Sequence, residues 1–334
     1  MDNNFPLASE PNQENQSSSE NIFIYPPKPP IDEPKSRINV LLRSITSLVL
    51  YLAVGYYFFN QNWKLLLVLT GVVIFHELGH FFAMKIYNYK DLGIFFIPLV
   101  GAYASGKKQE VSQLQSAIIL LAGPVPGIIL GTVLYLFAPQ LSSDYNNIWF
   151  LQSIARILIY LNLFNLLPVY PLDGGQLLNR LFLDDSKIIG KIFILLSAGG
   201  MIWFALYGLP RPVYPLLVIP VFLLMRMFGD VQSDKLTKKI EEEGIDLNTT
   251  YEELSDENYW KIRNVLIRNH PSFRNIPEAP PYEYAEKEEQ IKTMMQGLLQ
   301  RMLVQDLSIV GKILILLLWV ACFVAPFFLG IRLF

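Results

Sequence analysis

The sequence is poor in three kinds of residue, and each scarcity excludes a class of function. Its 334 residues include one cysteine, Cys322, so an intrachain disulfide and a cysteine-rich zinc module are both excluded. Charged residues make up 17% of the chain, whereas a soluble domain has about a quarter. There are three histidines, so any histidine-based chemistry has few residues available.

Apolar sequence is abundant instead. Hydrophobic residues make up 52% of the chain, and the mean hydropathy is +0.33. Several apolar runs approach the roughly 20 residues that a helix needs to cross about 30 Å of hydrocarbon. Seven such runs occupy residues 40–59, 65–86, 114–137, 148–167, 188–207, 213–228 and 309–331. We therefore expect an all-α polytopic membrane protein with about seven transmembrane helices, of which the sixth is the least regular because it contains Pro215 and Pro220.

The polar residues are concentrated in two segments outside these runs. The first 38 residues are rich in Asn, Ser, Glu and Pro and have no periodic apolar face, which is typical of disorder. A second segment has dense charge of both signs, which favours a soluble helical region. The expected organisation is a disordered cytoplasmic tail (1–38), an accessory first transmembrane helix (39–63), a core (64–182), additional transmembrane helices (183–228), a charged cytoplasmic helical segment (229–308) and a C-terminal transmembrane helix (309–334).

The basic residues predict an orientation. If the amino terminus is cytoplasmic, only Lys64, Arg211 and Arg332 lie outside, as the positive-inside rule requires. We expect a multi-pass protein of the cytoplasmic membrane of a prokaryote. With 27 basic and 29 acidic residues, the charge gives no drive towards nucleic acid, so we expect no nucleic-acid partner, and the oligomeric state is left open.

The second apolar run contains His76-Glu77-Leu78-Gly79-His80. Histidines four residues apart lie on one face of a helix, so both imidazoles can reach one tetrahedral zinc ion. Glu77 can then act as general base towards a water at the metal. The alternative is a pair of core histidines beside a Glu that reaches the interface, but burying these groups in lipid is costly unless they face a cavity, a metal or one another.

A catalytic zinc site needs a third protein ligand. His270 is a poor candidate, because it lies in the charged segment next to proline. Asp173 is the strongest carboxylate, since Pro168 and Pro171 break the preceding helix and the glycines after it permit a turn facing inward. A turn or helix-capping aspartate is the alternative. The other carboxylates near membrane depth are Asp91, Glu110, Asp184 and Asp185.

An H-E-x-x-H motif in one span, followed about 90 residues later by N-x-x-P-x-x-x-L-D-G in another, resembles the site-2 protease family of intramembrane zinc metalloproteases. The resemblance covers about residues 64–182, and Gly123-Pro124 is similar to the glycine-proline element of the family. Two differences are visible. Gln176 stands where many relatives have histidine, and there is no room for the PDZ or CBS domain that some members carry.

The resemblance implies roles for five residues. His76, His80 and Asp173 would bind one Zn²⁺ per chain, Glu77 would be the catalytic acid and base, and Asn165 would lie close to the scissile carbonyl. The implied activity is that of a zinc metalloendopeptidase that hydrolyses peptide bonds within or near transmembrane segments, as in regulated intramembrane proteolysis. Its partners would be a transmembrane protein substrate and the lipid bilayer. Two other functions stay open: a zinc-binding scaffold that does not cleave, and a metal-ion transporter.

One short stretch is not expected to be helical. Residues 92–103 are rich in β-forming residues, are interrupted by glycines and are too short to span as a helix. Similar stretches in the site-2 protease family form a short membrane-embedded β element after the second span, whose edge could hold substrate as an added strand. The alternative is an interfacial hydrophobic loop.

Overall fold

The computed structural model describes residues 25–30, 37–59, 61–98, 100–108, 111–183, 187–208, 210–299, 303–304 and 306–331. The α-helices are α1 (Arg37–Phe58), α2 (Trp63–Ile86), α3 (Gln113–Ala122), α4 (Pro124–Leu141), α5 (Tyr145–Asn165), α6 (Asp173–Leu178), α7 (Lys187–Tyr207), α8 (Val218–Glu242), α9 (Asp256–Asn269), α10 (Glu288–Leu298) and α11 (Ile309–Phe328). The strands are β1 (Lys90–Ile97), β2 (Gly101–Lys107), β3 (Val111–Ser112) and β4 (Leu303–Val304). Shorter turns are π-helical at Asn179–Leu183 and 3₁₀-helical at Tyr214–Leu217 and Pro271–Phe273.

Seven helical segments among the described residues are long and apolar enough to cross a membrane. They are Ile38–Phe58, Trp63–Ile86, Gln113–Leu141, Tyr145–Asn165, Ile188–Tyr207, Tyr214–Glu242 and Ile309–Phe328. Large apolar side chains are exposed along them, as expected of a surface that faces lipid rather than water. The prediction of a polytopic membrane protein with about seven spanning helices is confirmed.

The third span contains a junction of two helices, and the sixth differs in length from its predicted form. The third consists of α3 and α4, which meet at Gly123, because Pro124 has no N–H to continue the first helix. The sixth does not stop near residue 228, since α8 runs on to Glu242. Pro220 does not break this helix because it lies in the first turn, where the missing N–H has no intrahelical partner to lose.

The predicted β element is present. Strands β1 and β2 form an antiparallel hairpin with Ile94 opposite Ala104 and Phe96 opposite Ala102. Helix α1 packs against β1 and α2 packs against β2. The backbone N–H of Phe96 donates to Ser47 Oγ on α1 at 3.1 Å, so this N–H points away from β2. The hairpin therefore lies between the first two spanning helices.

The centre of the spanning region is formed by α2 to α6 together with α11. Polar caps fix where three of these helices begin: Asn62 for α2, Ser112 for α3 and Asp144 for α5. At the other end of α5, the indole N–H of Trp319 on α11 donates to the carbonyl of Leu166 at 2.9 Å. The apolar cluster at the centre of the spanning region consists of Ala117, Leu121, Ile128, Leu166, Leu177, Leu181 and Cys322.

A second apolar core lies in the charged segment. Residues from the end of α8, α9 and α10 pack around Tyr259, Trp260 and Leu266, all at most 1% exposed. We refer to residues 229–299 as the soluble domain. Residues 25–30 lie against it, with Pro29 buried. This differs from the expectation of a disordered tail over residues 1–38, and the physical reason is that proline carbonyls find donors on the soluble domain. The rest of that tail, apart from residues 37 and 38, lies outside the described residues.

Candidate metal centre

The histidine motif lies in the second half of α2, on a face covered by other helices. His76, Glu77 and His80 are 4%, 6% and 8% exposed, although α2 is otherwise almost entirely apolar. Helices α3, α4 and α5 pack against α2 on this side and bury these side chains. Polar groups buried in this way need partners, and the partners come from α3, α5 and α6.

Asp173 reaches the same place from the loop that follows α5. Asp173 is the first residue of α6, and Pro168 and Pro171 lie in the non-helical loop between α5 and α6. A Cβ on Gly174 would lie 1.9 Å from the carbonyl oxygen of Leu166, so only glycine lets the loop fold back this closely on the end of α5. Gln176 donates from Nε2 to the carbonyl of Pro171 at 2.8 Å and closes the loop. The residue that differs from many relatives therefore has a structural contact here.

Three atoms converge in the cluster that we call the metal centre. Oδ2 of Asp173 lies 3.1 Å from Nε2 of His76 and 3.3 Å from Nε2 of His80. The two Nε2 atoms are 3.1 Å apart. These three residues are a group of side chains that could hold a metal ion within the described part of the chain.

The other ring nitrogens fix which atoms carry protons. Nδ1 of His80 is 2.7 Å from the carbonyl oxygen of Ile119, which can only accept, so Nδ1–H donates, and in the neutral ring Nε2 carries the lone pair. Nδ1 of His76 is 2.7 Å from Oδ1 of Asn162. The Asn162 amide is oriented by its own Nδ2, which donates to the carbonyl of Leu158 at 2.7 Å. Oδ1 must therefore accept from His76, and the second Nε2 also carries a lone pair.

This arrangement fits a zinc ion. Two lone pairs and a carboxylate oxygen face one another at 3.1–3.3 Å, and Oδ2 of Asp173 is buried without a hydrogen-bond donor. Such a contact is favourable only where a proton or a metal cation lies between the atoms. A tetrahedral zinc ion with ligands at about 2.0–2.1 Å separates its ligand atoms by roughly 3.3–3.4 Å, close to the observed spacing. Nitrogen and oxygen donors of this kind are ordinary zinc ligands.

Glu77 adjoins the metal centre without being one of its three converging atoms. Its carboxyl group interacts with both histidines, with Asp173 and with the backbone N–H of Ala104 in β2. The contact with Ala104 joins the β hairpin to the metal centre. A carboxylate at this position can accept a proton from a water near the metal and return it to another atom.

The remaining candidate residues make contacts outside the group of three converging atoms. Asn165 donates from Nδ2 to the carbonyl of Leu161 in its own helix at 3.2 Å. His270 ends α9 and accepts from the backbone N–H of Ser272, away from the metal centre. Asp91 pairs with Lys107 at 3.6 Å. The predictions for Glu110, Asp184 and Asp185 lie outside the described residues.

Two groups that form hydrogen bonds to the histidines of the metal centre were not predicted from the sequence. The carbonyl of Ile119 is a backbone atom, so no residue type could signal it. Asn162 is 0% exposed and had a usable signal, because it is an uncharged polar residue in an apolar run, one turn before Asn165. A histidine that ligates a metal through one nitrogen usually donates its other N–H to such a partner.

Comparison with known proteins gives one family match. The model of Peptidase family M50 matches residues 64–144, which include the histidine motif and extend just beyond α4. The zinc metalloprotease MJ0392 of Methanocaldococcus jannaschii is 28% identical over 203 residues, covering 57% of this chain and 56% of that protein. Stage IV sporulation protein FB of Bacillus subtilis is 29% identical over 121 residues, covering 36% of this chain and 41% of that protein.

A solved structure is also similar. The site-2 protease from Methanocaldococcus jannaschii is 25% identical, and the match covers 56% of this chain and 87% of that chain with a TM-score of 0.39. The chain spans about half the length, or less, of the two curated relatives described above.

Proposed function

We propose that the chain is an intramembrane zinc metalloprotease, because residues 64–144 match the model of Peptidase family M50 and a relative is named as a zinc metalloprotease. The proposed reaction is hydrolysis of peptide bonds within or near transmembrane segments of membrane proteins, in the manner of regulated intramembrane proteolysis. The observation that carries the proposal is the metal centre itself: the Nε2 atoms of His76 and His80 and Oδ2 of Asp173 converge beside the buried carboxyl group of Glu77.

His76, His80 and Asp173 would hold one zinc ion per chain. Zinc in such a site supplies a Lewis acid, which polarises a carbonyl group and makes a nearby water easier to deprotonate. Asn162 and the carbonyl of Ile119 hold the two imidazole rings with Nε2 directed at the site, which lowers the cost of assembling it.

Glu77 would move the proton. Its carboxylate accepts a proton from the attacking water and then donates it to the nitrogen of the leaving amine, so the carboxyl group ends each cycle as it began. Burial at 6% exposure keeps bulk water from competing for this proton. Asn165 would donate its amide to the substrate carbonyl, which requires it to exchange its present bond with Leu161.

Substrate would bind as an added strand on β2 rather than on β1. The N–H of Phe96 points outward from the hairpin to Ser47, so the outer edge of β1 is covered by α1. In an antiparallel pair, residues two apart point the same way, so Ala102 and Ala104, which pair with Phe96 and Ile94, direct their backbone groups outward on the opposite edge. That edge faces Glu77. An extended substrate segment there has its peptide bonds open to attack, which a helical segment does not.

The proposed setting is the cytoplasmic membrane of a prokaryote with a cytoplasmic amino terminus. The distribution of Lys and Arg around the spans supports this orientation. The metal centre then lies towards the cytoplasmic ends of α2 and α5, which puts cleavage on that side of the membrane.

The test is a reconstituted cleavage assay with a single-span reporter that carries a tag at each end. Glu77→Gln keeps the size of the side chain and removes its charge, so we expect zinc to be retained and cleavage to fall by about 10²–10⁴-fold. Asp173→Ala removes a ligand, so zinc content measured by mass spectrometry falls with activity. Glu257→Gln, in an exposed ion pair on α9, is the matched control and leaves both unchanged. Undiminished cleavage by Glu77→Gln would contradict the assignment of the base, and full zinc content in Asp173→Ala would remove the third ligand.

A further inference from the structure

The segment Tyr25-Pro-Pro-Lys28-Pro-Pro30 lies on the soluble domain more than 220 positions away in sequence. Four of its six residues are prolines, which have no backbone N–H and favour the extended polyproline II form, in which the carbonyl oxygens point outward without internal partners. A surface that recognises such a segment must supply hydrogen-bond donors and flat apolar faces.

The soluble domain supplies both. The indole N–H of Trp260 donates to the carbonyl of Pro26 at 2.8 Å, and the hydroxyl of Tyr251 donates to the carbonyl of Pro29 at 2.8 Å. Further donors are the hydroxyl of Tyr284, to the Pro27 carbonyl, and the Lys292 ammonium, to the Pro30 carbonyl. Each of the four proline carbonyls therefore has a side-chain donor, three of them aromatic.

Lys28 adds a contact that depends on residue type. Its Nζ donates to the carbonyls of Tyr251 at 2.7 Å and Glu252 at 2.8 Å, and also to that of Leu254. The ammonium also lies 5.3 Å from the centre of the Tyr251 ring, and the Lys28 backbone N–H donates to Asp256 at 2.8 Å. A smaller or neutral side chain at this position would leave the three carbonyls without this donor.

The aromatic surface is built into the core of the domain. The ring of Trp260 stacks on Tyr284 with centroids 5.7 Å apart and meets Tyr282 edge to face at 5.2 Å. Behind Trp260 lies the guanidinium of Arg263, 5.0 Å from the indole ring, and Arg263 is held by two hydrogen bonds to Glu288 at 2.8 and 3.0 Å. This network holds the Trp260 ring from behind, which lowers the cost of ordering it when a segment binds. We call this surface the aromatic groove; its residues are Tyr251, Trp260, Tyr282, Tyr284 and Lys292.

We infer that the aromatic groove is a binding site for proline-rich peptides with a central lysine, and that residues 25–30 are its ligand in cis. The same groove binds the same sequence from another protein once the cis segment is released. Because only residues 31–36 separate the segment from α1, a proline-rich partner that displaces it also frees the chain just ahead of the helix that covers β1.

The experiment measures binding of a fluorescent peptide of residues 24–31 to the full chain in detergent, by anisotropy. The groove is opened in a variant whose residues 25–30 are replaced by a Gly-Ser sequence of equal length. We take a Kd of about 10 µM for the peptide in the open groove and an effective concentration of about 1 mM for the tethered segment. The wild-type chain should then bind the peptide roughly 100-fold more weakly than the opened variant. Lys28→Ala, which leaves the soluble domain intact, should bind the peptide several-fold more tightly than wild type.

Further variants are made in the opened chain. Trp260→Phe keeps an aromatic side chain but removes the N–H together with the five-membered ring of the indole, and Tyr251→Phe removes only the hydroxyl, so each should weaken binding about five- to tenfold. Arg268→Ala, exposed on the same helix two turns from Trp260 and paired with Glu243 and Glu278, is the matched control and should bind as the opened chain does. A peptide with its four prolines changed to alanine should not compete.

Two results would overturn the inference. One is that neither the opened variant nor Lys28→Ala binds the peptide more tightly than wild type, while circular dichroism shows both folded. The other is that Trp260→Phe and Tyr251→Phe leave the affinity of the opened chain unchanged.

Discussion

Oδ1 of Asn162 lies 2.7 Å from Nδ1 of His76 and joins α5 to α2 at the metal centre. The carbonyl of Leu158, one turn earlier in α5, fixes the direction of the Asn162 amide. A backbone carbonyl of one helix therefore determines, through one side chain, which nitrogen of a histidine on another helix is free to bind a metal. Asn162 is a positioning residue for the proposed zinc site.

Removal of this amide should weaken metal binding. We expect Asn162→Ala to lower zinc affinity by about 10–100-fold, because His76 loses the acceptor that holds its ring and its tautomer. Competition with a chelator, followed by measurement of bound zinc, checks this. Asn162→Asp should rescue most of the loss, since its carboxylate still accepts from Nδ1–H. Asn165→Ala, one turn along the same helix, should bind zinc normally while losing activity. Equal zinc affinity in Asn162→Ala and wild type would show that the contact is not needed.

The close approach of α2 to the junction of α3 and α4 gives a second prediction. A Cβ on Gly79 would lie 1.9 Å from the carbonyl oxygen of Ala122 and 2.9 Å from Cα of Gly123. Gly79→Ala should therefore push α2 outward, lower the free energy of unfolding by about 1–3 kcal/mol and reduce bound zinc, because both histidines move with the helix.

The same helix offers a matched control. A Cβ on Gly71 would meet nothing within 4 Å, so Gly71→Ala should leave zinc content unchanged and not lower stability. Thermal unfolding and zinc analysis of the two variants side by side make the comparison. If Gly79→Ala kept wild-type zinc content and melting temperature, the tight contact of α2 with α3 and α4 would not be required for the site.

The spacing of the histidine motif was enough to predict that His76 and His80 lie side by side, because that spacing depends on local rules. Histidines four apart share a helix face whatever surrounds them, and prolines end a helix wherever they fall. Asn162 was not predicted, because its role depends on the rotation of α5 relative to α2, which is set by packing between distant segments. Its polar character alone did not distinguish it from Asn165.

The contact of residues 25–30 with the soluble domain could not be predicted for a different reason. Composition describes what a segment can bury by itself, and a proline-rich segment can bury little. Its partners lie more than 220 positions away, on rings that the sequence distributes over residues 251–284 without a periodic pattern. Only the fold brings Tyr251, Trp260 and Tyr284 to one surface.

The soluble domain gives a prediction on pH. The Tyr259 hydroxyl donates to Glu288 and the residue is 0% exposed. Burial first, and then this hydrogen bond to a carboxylate, hold the pKa of Tyr259 well above its usual value. In the unfolded chain the phenol ionises near pH 10. The stabilisation that the neutral Tyr259 phenol gives the folded domain is therefore fully present below pH 10. It is lost as the pH rises above that value, by up to about 1.4 kcal/mol per pH unit.

Urea unfolding, followed by the fluorescence of Trp260 in a chain whose other four tryptophans are replaced by phenylalanine, measures this slope between pH 9 and 11.5. Tyr259→Phe should be less stable at neutral pH by about 1–3 kcal/mol, because Glu288 loses a buried donor. Above pH 10 it should lose stability less steeply than the parent chain, since it has no phenol to ionise at this position. Tyr207→Phe, at a tyrosine that is 74% exposed, should follow the parent at every pH. Parallel curves for Tyr259→Phe and the parent above pH 10 would mean that the buried phenol does not resist ionisation in the folded domain.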